Sequence, residues 1–214
     1  LKKLFYLPFK RATKLMILYN IALSGNCHKV RLMLSLLGLN YQTYDLDLGT
    51  SEQLSDDFLK LNPFGQAPVI DDQGIVIRDS QAILVYLAKK YGEDRFWSDD
   101  PAELANITSW LSTAANELQN GPARLRLHHK MGRPIDLKHA TDTTTKLLNI
   151  IDRHLADKQW LVIDRLSLAD IAMYPYLALA HEGQVDLSPY QNITAWLTRF
   201  EALPNYISMP GIHL

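Results

Sequence analysis

The chain has 214 residues, 47% hydrophobic and 21% charged, with 22 basic against 23 acidic side chains and a formal net charge of -1. That is enough apolar material for one large core or two small ones, and the balanced charge argues against a nucleic-acid partner. A single cysteine excludes an intrachain disulfide framework and a multi-cysteine zinc site, and no apolar run nears the ~18 residues that span a bilayer. The expectation is a cytoplasmic protein with no membrane partner.

Residues 1–15, LKKLFYLPFKRATKL, carry five basic and no acidic side chains. They lack the long apolar centre and cleavage site of a signal peptide and read as an extension outside the chemistry. A basic membrane-touching or targeting segment is the competing reading. From Met16 the pattern becomes regular. MILYNI is a short β-prone run, and Ala22-Leu23-Ser24-Gly25-Asn26 reads as a turn. Val30, Met33, Leu34 and Leu37 recur at helical spacing, with Gly38 placed to end the helix. Residues 40–46 alternate as a second strand. Phe58, Leu59 and Leu61 mark a short helix that Asn62-Pro63 breaks. Strands at 68–71 and 75–77 flank the turn Asp72-Gln73-Gly74, and a third helix runs from Asp79-Ser80 to Gly92. The order βαβαββα over residues 16–92 predicts a thioredoxin-like domain.

Strand signals stop after Gly92, and Asp99-Asp100-Pro101 marks a linker and a helix start. Leu104, Ile107, Leu111 and Leu118 predict one long helix, and Leu147, Ile150, Ile151 and Leu155 another. Ser167-Leu168-Ala169-Asp170 is a capping box. The helix behind it is apolar almost all round, as for the central helix of a bundle. Residues 100–214 are therefore expected to form an all-helical domain. The histidines His128, His129 and His139 lack a supporting carboxylate pattern, and no metal is expected.

The segment Ser24-Gly25-Asn26-Cys27-His28-Lys29-Val30-Arg31 lies between the first strand and the first helix. In a thioredoxin fold that junction holds a dithiol, whose first cysteine is activated by the helix N-terminus. Here the first position is Ser24 and only Cys27 is cysteine, so a protein dithiol is unavailable and the natural inference is that the thiol arrives with the ligand. The Ser24 hydroxyl, the Asn26 amide and the helix terminus are the groups placed to stabilise its thiolate. Charge-assisted hydrogen bonding at roughly 1.5–3 kcal/mol, plus roughly 0.3–1 from the helix, lowers a thiol pKa by about two units. Ser24 is otherwise a plain helix cap. Cys27 is the alternative nucleophile but should face the core. His28 is expected on the surface.

Two further stretches converge on that loop. In Asn62-Pro63-Phe64-Gly65-Gln66-Ala67-Pro68, the second proline opens a strand, where a cis bond would turn the Ala67 backbone toward a ligand. In Arg78-Asp79-Ser80-Gln81, the start of the third helix offers N–H groups and the Ser80 hydroxyl to a carboxylate, with Asp79 facing an amine. Each reads equally as a strand start or a helix cap when taken alone. Gln53 and Gln66 are amide side chains near the same rim.

Taken in order, S-G-N-C-H-K-V-R, N-P-F-G-Q-A-P-V-I, D-S-Q-A-I-L-V-Y-L and S-L-A-D-I-A resemble the cytosolic glutathione transferases from residue 16 to about 208. Ser24 falls where the delta, theta and zeta classes have their catalytic serine. The S-x-N-x-H-K arrangement is similar to the bacterial nu class, which has threonine and asparagine at positions 24 and 26 and a glutathione-contacting glutamine at 53. The resemblance implies glutathione as co-substrate, activated at Ser24 with Asn26 and held by Gln53, Gln66, Ala67, Asp79 and Ser80. It further implies attack on a small hydrophobic electrophile or a peroxide, and a homodimer. Glutathione-dependent disulfide reductase or peroxidase chemistry, or non-catalytic glutathione binding, are the alternatives. Trp110, Arg124 and Tyr174 are candidates for the acceptor pocket.

Overall fold

The computed structural model describes residues 15–212. Of the extension expected at residues 1–15, all but Leu15 therefore lies outside the described residues. Four strands, β1 (Met16–Asn20), β2 (Tyr41–Asp45), β3 (Val69–Asp72) and β4 (Ile75–Arg78), form one sheet in the order β2-β1-β3-β4. β1 pairs parallel with β2 and antiparallel with β3, and β3 pairs antiparallel with β4. Three helices complete this half: α1 (Gly25–Leu36), α2 (Asp56–Leu61) and α3 (Ser80–Tyr91). Six more follow: α4 (Pro101–Ala115), α5 (Glu117–Asn120), α6 (Pro122–Met131), α7 (Leu137–His154), α8 (Leu168–Ala178) and α9 (Gln191–Glu201). This is a thioredoxin-like N-terminal domain followed by a helical C-terminal domain. No helix among the described residues is long and apolar enough to cross a membrane.

Strand alternation divides the sheet's two faces. Met16, Leu18 and Ile70 pack with Val30, Met33 and Leu34 of α1 and Ile83, Leu84 and Leu87 of α3, in a core continuous with that of the helical domain. Tyr19 and Val69 face the other way and meet Phe58 of α2. β2 does not bury alternate residues as its sequence suggests: it is an edge strand, half-buried at Tyr41 and exposed beyond. Gly38 has φ of 68° just past α1, the left-handed turn that glycine adopts without a Cβ clash. Asp72, buried at the end of β3, accepts from Tyr86, Lys90 and Tyr91 at 2.7, 2.6 and 2.7 Å. Burial works to raise its pKa, but these donors outweigh it and hold the carboxyl below its usual range.

In the helical half, Asp100 caps α4 by accepting from Ala102 and Glu103 N–H at 2.9 and 3.0 Å, with Pro101 in the first turn. The single helix expected through Leu118 breaks at Asn116, whose φ and ψ of -112° and -80° leave the helical region and separate α4 from α5. On α7, Leu147 and Ile151 are buried as expected, but Ile150 is exposed, because Leu148 takes the inward position beside Leu147. The capping box closes at α8. Asp170 is fully buried and accepts from Ser167 N–H, Ser167 hydroxyl, Leu161 N–H and Trp196 Nε1–H at 2.9 to 3.0 Å.

His28 corrects its expected surface position. α1 is packed by both α3 and α8, so nine of its twelve residues are buried and His28 has no face left to solvent. Neither ring nitrogen finds a hydrogen-bond partner among the described residues. Burial, with help from the Arg31 charge, pushes its pKa down to about 3.

Two outcomes follow from these buried groups. Asp170→Ala strands the Leu161 and Trp196 donors, at about 1–3 kcal/mol each, so urea unfolding should show a loss of roughly 3–5 kcal/mol. For His28, the unfolded side chain binds a proton below pH ~6.5 that the folded one refuses until about pH 3, so its stability contribution is lost as pH falls. Relative to His28→Leu, the protein should lose about 2 kcal/mol between pH 7 and 5 in paired urea titrations. Equal slopes in the two proteins would mean that His28 stays solvated.

Candidate active site

A cleft of about 460 Å³ opens where the N-termini of α1 and α3, the turn before β3 and the α4–α6 corner meet. Asn26 forms one wall, Gln66, Ala67 and Pro68 a second, Asp79, Ser80 and Gln81 a third. The helical domain supplies Ala115, Gln119 and Arg124. Five of the predicted site residues, Asn26, Gln66, Ala67, Asp79 and Ser80, thus converge on one space from three separate stretches of sequence.

Local chemistry shapes each wall. The Ala67–Pro68 bond is cis. Asn62, buried, accepts from Phe64 N–H at 3.1 Å and donates to the Gln66 carbonyl at 2.6 Å, closing the turn before β3. Gly65 has φ of 61°, and a Cβ there would meet Leu54 at 2.7 Å and the Gln53 carbonyl at 3.0 Å. Asp79 has φ of 73°, a region costly for a residue with a side chain; such outliers concentrate at functional sites. Its Oδ1 caps α3 by accepting from Gln81 and Ala82 N–H at 2.9 and 3.1 Å, so two of the N–H groups expected to be free are already used. Ser80 is buried and its hydroxyl pairs with the Gln81 side chain.

Two predicted residues stand apart from the cleft lining. Ser24 is half-buried at the N-cap of α1, where its Oγ accepts from Cys27 N–H at 3.3 Å. Gln53 sits behind Gly65 in a short 3-10 turn. Cys27 points into the core, its sulfur accepting from Ile21 N–H at 3.3 Å, and burial pushes its thiol pKa up. Asn26 stands where both parts of the protein meet. Its Nδ2 donates to Gln119 Oε1 at 3.3 Å, and its Oδ1 accepts from Lys29 Nζ at 2.8 Å. Lys29 is fully buried, over the Tyr176 ring at 5.7 Å; burial pulls its ammonium down to about 7 against the attraction of Asp79.

Sequence reasoning missed the supports that the helical domain provides. Tyr176 of α8 lies under Gly25, with its phenol group beside Ser24 and the Asn26 backbone; burial pushes its pKa up. Buried Arg126 of α6 donates from Nη1 to the Leu23 carbonyl at 2.8 Å and from Nε to Glu182 at 2.5 Å. No local pattern marks Tyr176, Arg126 or Gln119, whereas Lys29 was visible three residues after Asn26 in the same motif. Two acceptor candidates are corrected. Tyr174 is fully buried in the helical core, stacked on Phe200 at 4.1 Å and bonded to Tyr206 and Glu201. Trp110 faces a different groove, between α4 and α7, beside the His154 ring. Arg124 does line the cleft.

Comparison with known proteins bears directly on this arrangement. The model of the glutathione S-transferase N-terminal domain matches residues 15–89, and that of the C-terminal domain residues 125–204. The disulfide-bond oxidoreductase YfcG of Escherichia coli K12 is 29% identical over 191 residues, covering 84% of this chain and 87% of that one. A crystal structure of a glutathione S-transferase from Pseudomonas fluorescens Pf-5 is 30% identical with a TM-score of 0.85, covering 92% of this chain and 100% of the other. A glutathione transferase homologue from Drosophila mojavensis with bound glutathione is 27% identical, with a TM-score of 0.80 and 88% of each chain covered. With both domain models matched in order, and the cleft built where the two domains meet, this chain belongs to the glutathione S-transferase family of enzymes.

Proposed function

We propose that this cleft binds glutathione and activates its thiol at the N-terminus of α1, with Asn26 as the direct contact and Ser24 as a second donor. The observation that carries this reading is the position of Asn26: it lines the cleft at the start of α1, facing the Ala67–Pro68 turn and the α3 N-terminus. Lysine already occupies the Asn26 carbonyl and Gln119 takes one amide proton, so the second amide proton is the one to meet a sulfur. A hydrogen bond to a thiolate at about 1.5–3 kcal/mol and a helix terminus at about 0.3–1 lower a thiol pKa by roughly two units. That places most of the bound thiol in its nucleophilic form near neutral pH without a general base.

The remaining contacts suit a zwitterionic tripeptide. The Ala67 backbone is placed for strand-like pairing with the ligand's cysteinyl unit. The Asp79 carboxylate oxygen that does not cap α3 faces its ammonium, while the backbone N–H of Ser80, which the cap leaves free, takes the carboxylate. Gln66 holds the ligand backbone from the rim, and Gln53 supports that rim through Gly65. We place the division between the domains at residues 93–99 and the protein in the cytoplasm as a homodimer, which sedimentation equilibrium would test.

In the main reading the thiolate attacks a small hydrophobic electrophile. A second reading is favoured by the composition of the acceptor side: Ala115, Gln119 and Arg124 offer an amide and a guanidinium and no aromatic wall. Such a surface suits a peptide disulfide, and the E. coli relative named above is a disulfide-bond oxidoreductase. There the thiolate attacks one sulfur of the disulfide, a new S–S bond forms, and the other sulfur leaves as a thiolate that takes a proton from water.

Asn26→Ala should raise the pKa of bound glutathione by about one to two units, read by thiolate ultraviolet absorbance, and lower kcat more than tenfold below that pKa. Ser24→Ala should raise it less and cost about 1 kcal/mol of stability through the lost cap, with Ser24→Thr restoring both. Bound thiol pKa unchanged in both alanine variants would overturn the assignment. Turnover of an aryl halide against a glutathione mixed disulfide separates the two readings.

A further inference from the structure

We infer that Lys29 is a positioning residue for the reaction, holding the Asn26 carboxamide with its amide end toward the cleft. The inference rests on the reading of Asn26 as the thiolate contact and adds what fixes that contact's orientation. A carboxamide has two ends of nearly equal shape, one donating and one accepting, and a half-turn about its last torsion exchanges them. Only the donating end stabilises a thiolate; the accepting end would repel it. The structure supplies a partner that reads the difference. Lys29 Nζ lies 2.8 Å from Asn26 Oδ1, and in its protonated form, which burial confines to pH below about 7, it has three donors and no acceptor. Flipping the carboxamide would set its NH2 group against that ammonium.

Two further observations suit Lys29 to this role. Its side chain is fully buried beneath the wall of the cleft, so water does not compete for the Asn26 carbonyl. Its ammonium is held over the Tyr176 ring at 5.7 Å, which spends none of its hydrogen-bond donors. On the far side, Gln119 Oε1 accepts from Asn26 Nδ2 at 3.3 Å, so acceptor and donor bracket the carboxamide in a consistent sense. A cation behind Oδ1 also polarises the amide and makes its N–H groups stronger donors.

The test uses the full chain with glutathione as the probe. Three variants are compared: Lys29→Met, which keeps the stem and removes the donor; Lys29→Gln, which keeps a buried polar group able to donate or accept; and Asn26→Ala. Bound-thiol pKa is read by ultraviolet absorbance, glutathione Kd by calorimetry, and fold by thermal unfolding. With the inference correct, Lys29→Met raises the thiol pKa by about one unit, a tenfold loss of thiolate below the pKa, while Kd for protonated glutathione changes by less than about threefold. Lys29→Gln gives a smaller rise. A role in packing alone would shift the melting temperature without moving the thiol pKa. If Asn26→Ala moves the pKa and whichever Lys29 variant folds leaves it at the wild-type value, the inference fails and the thiolate contact stands. If Asn26→Ala itself leaves the pKa unmoved, the reading of Asn26 fails and the inference with it.

Discussion

The close approach of the first turn of α1 to α8 is the constraint on which the site depends. A Cβ on Gly25 would lie 2.8 Å from the Tyr176 ring, so only glycine lets the helix start this close. The approach puts the Tyr176 phenol group beside Ser24 and the Asn26 backbone and places the Lys29 ammonium over the same ring. Arg126 locks the junction by holding the Leu23 carbonyl from the other domain. Were the two halves to separate, Asn26 would lose Gln119 and the cleft would lose the side built by Ala115, Gln119 and Arg124.

Around that junction the protein separates two kinds of buried charge. Asp72 and Asp170 lie away from the cleft and each accepts from several donors, one pinning α3 to the sheet and the other pinning α8 and α9 together. The donors offset burial to different degrees: at Asp72 they hold the carboxyl below its usual range, whereas at Asp170 burial still pushes it up. Near the cleft the pattern differs. Lys29 is buried with its pKa pulled toward neutrality, and Asp79 holds a backbone conformation that side chains rarely adopt.

Much of the candidate site was legible in the sequence because the residues lining it sit in short contiguous runs. Asn26, Ala67 and Asp79 each belong to a stretch with its own local logic: a strand-to-helix turn, an X–Pro step before a strand, a helix cap. Local logic also misled. His28 looked solvent-facing because histidine is polar, but α1 is covered on two sides, and no periodicity shows that a second helix packs on the face opposite the sheet. Tyr174 and Trp110 carry the aromatic character an acceptor pocket needs, yet one lies in the core and the other lines a different groove. Helical spacing identifies a shared face without saying what that face meets.

The βαβαββα order was readable from hydrophobic periodicity and turn residues, and the helix caps at Asp100 and Ser167–Asp170 and the polar residues that start α1 and α3 from hydrogen bonding within a few residues. Tertiary structure alone decided that Asn26 faces the cleft while Ser24 turns to cap its helix and Gln53 lies behind the rim. It also decided that Gln119, Tyr176 and Arg126, about a hundred residues or more away, complete the junction. The physical reason is reach: a local hydrogen bond is encoded by its neighbours, but which end of a side chain meets the ligand depends on the helix packed against it.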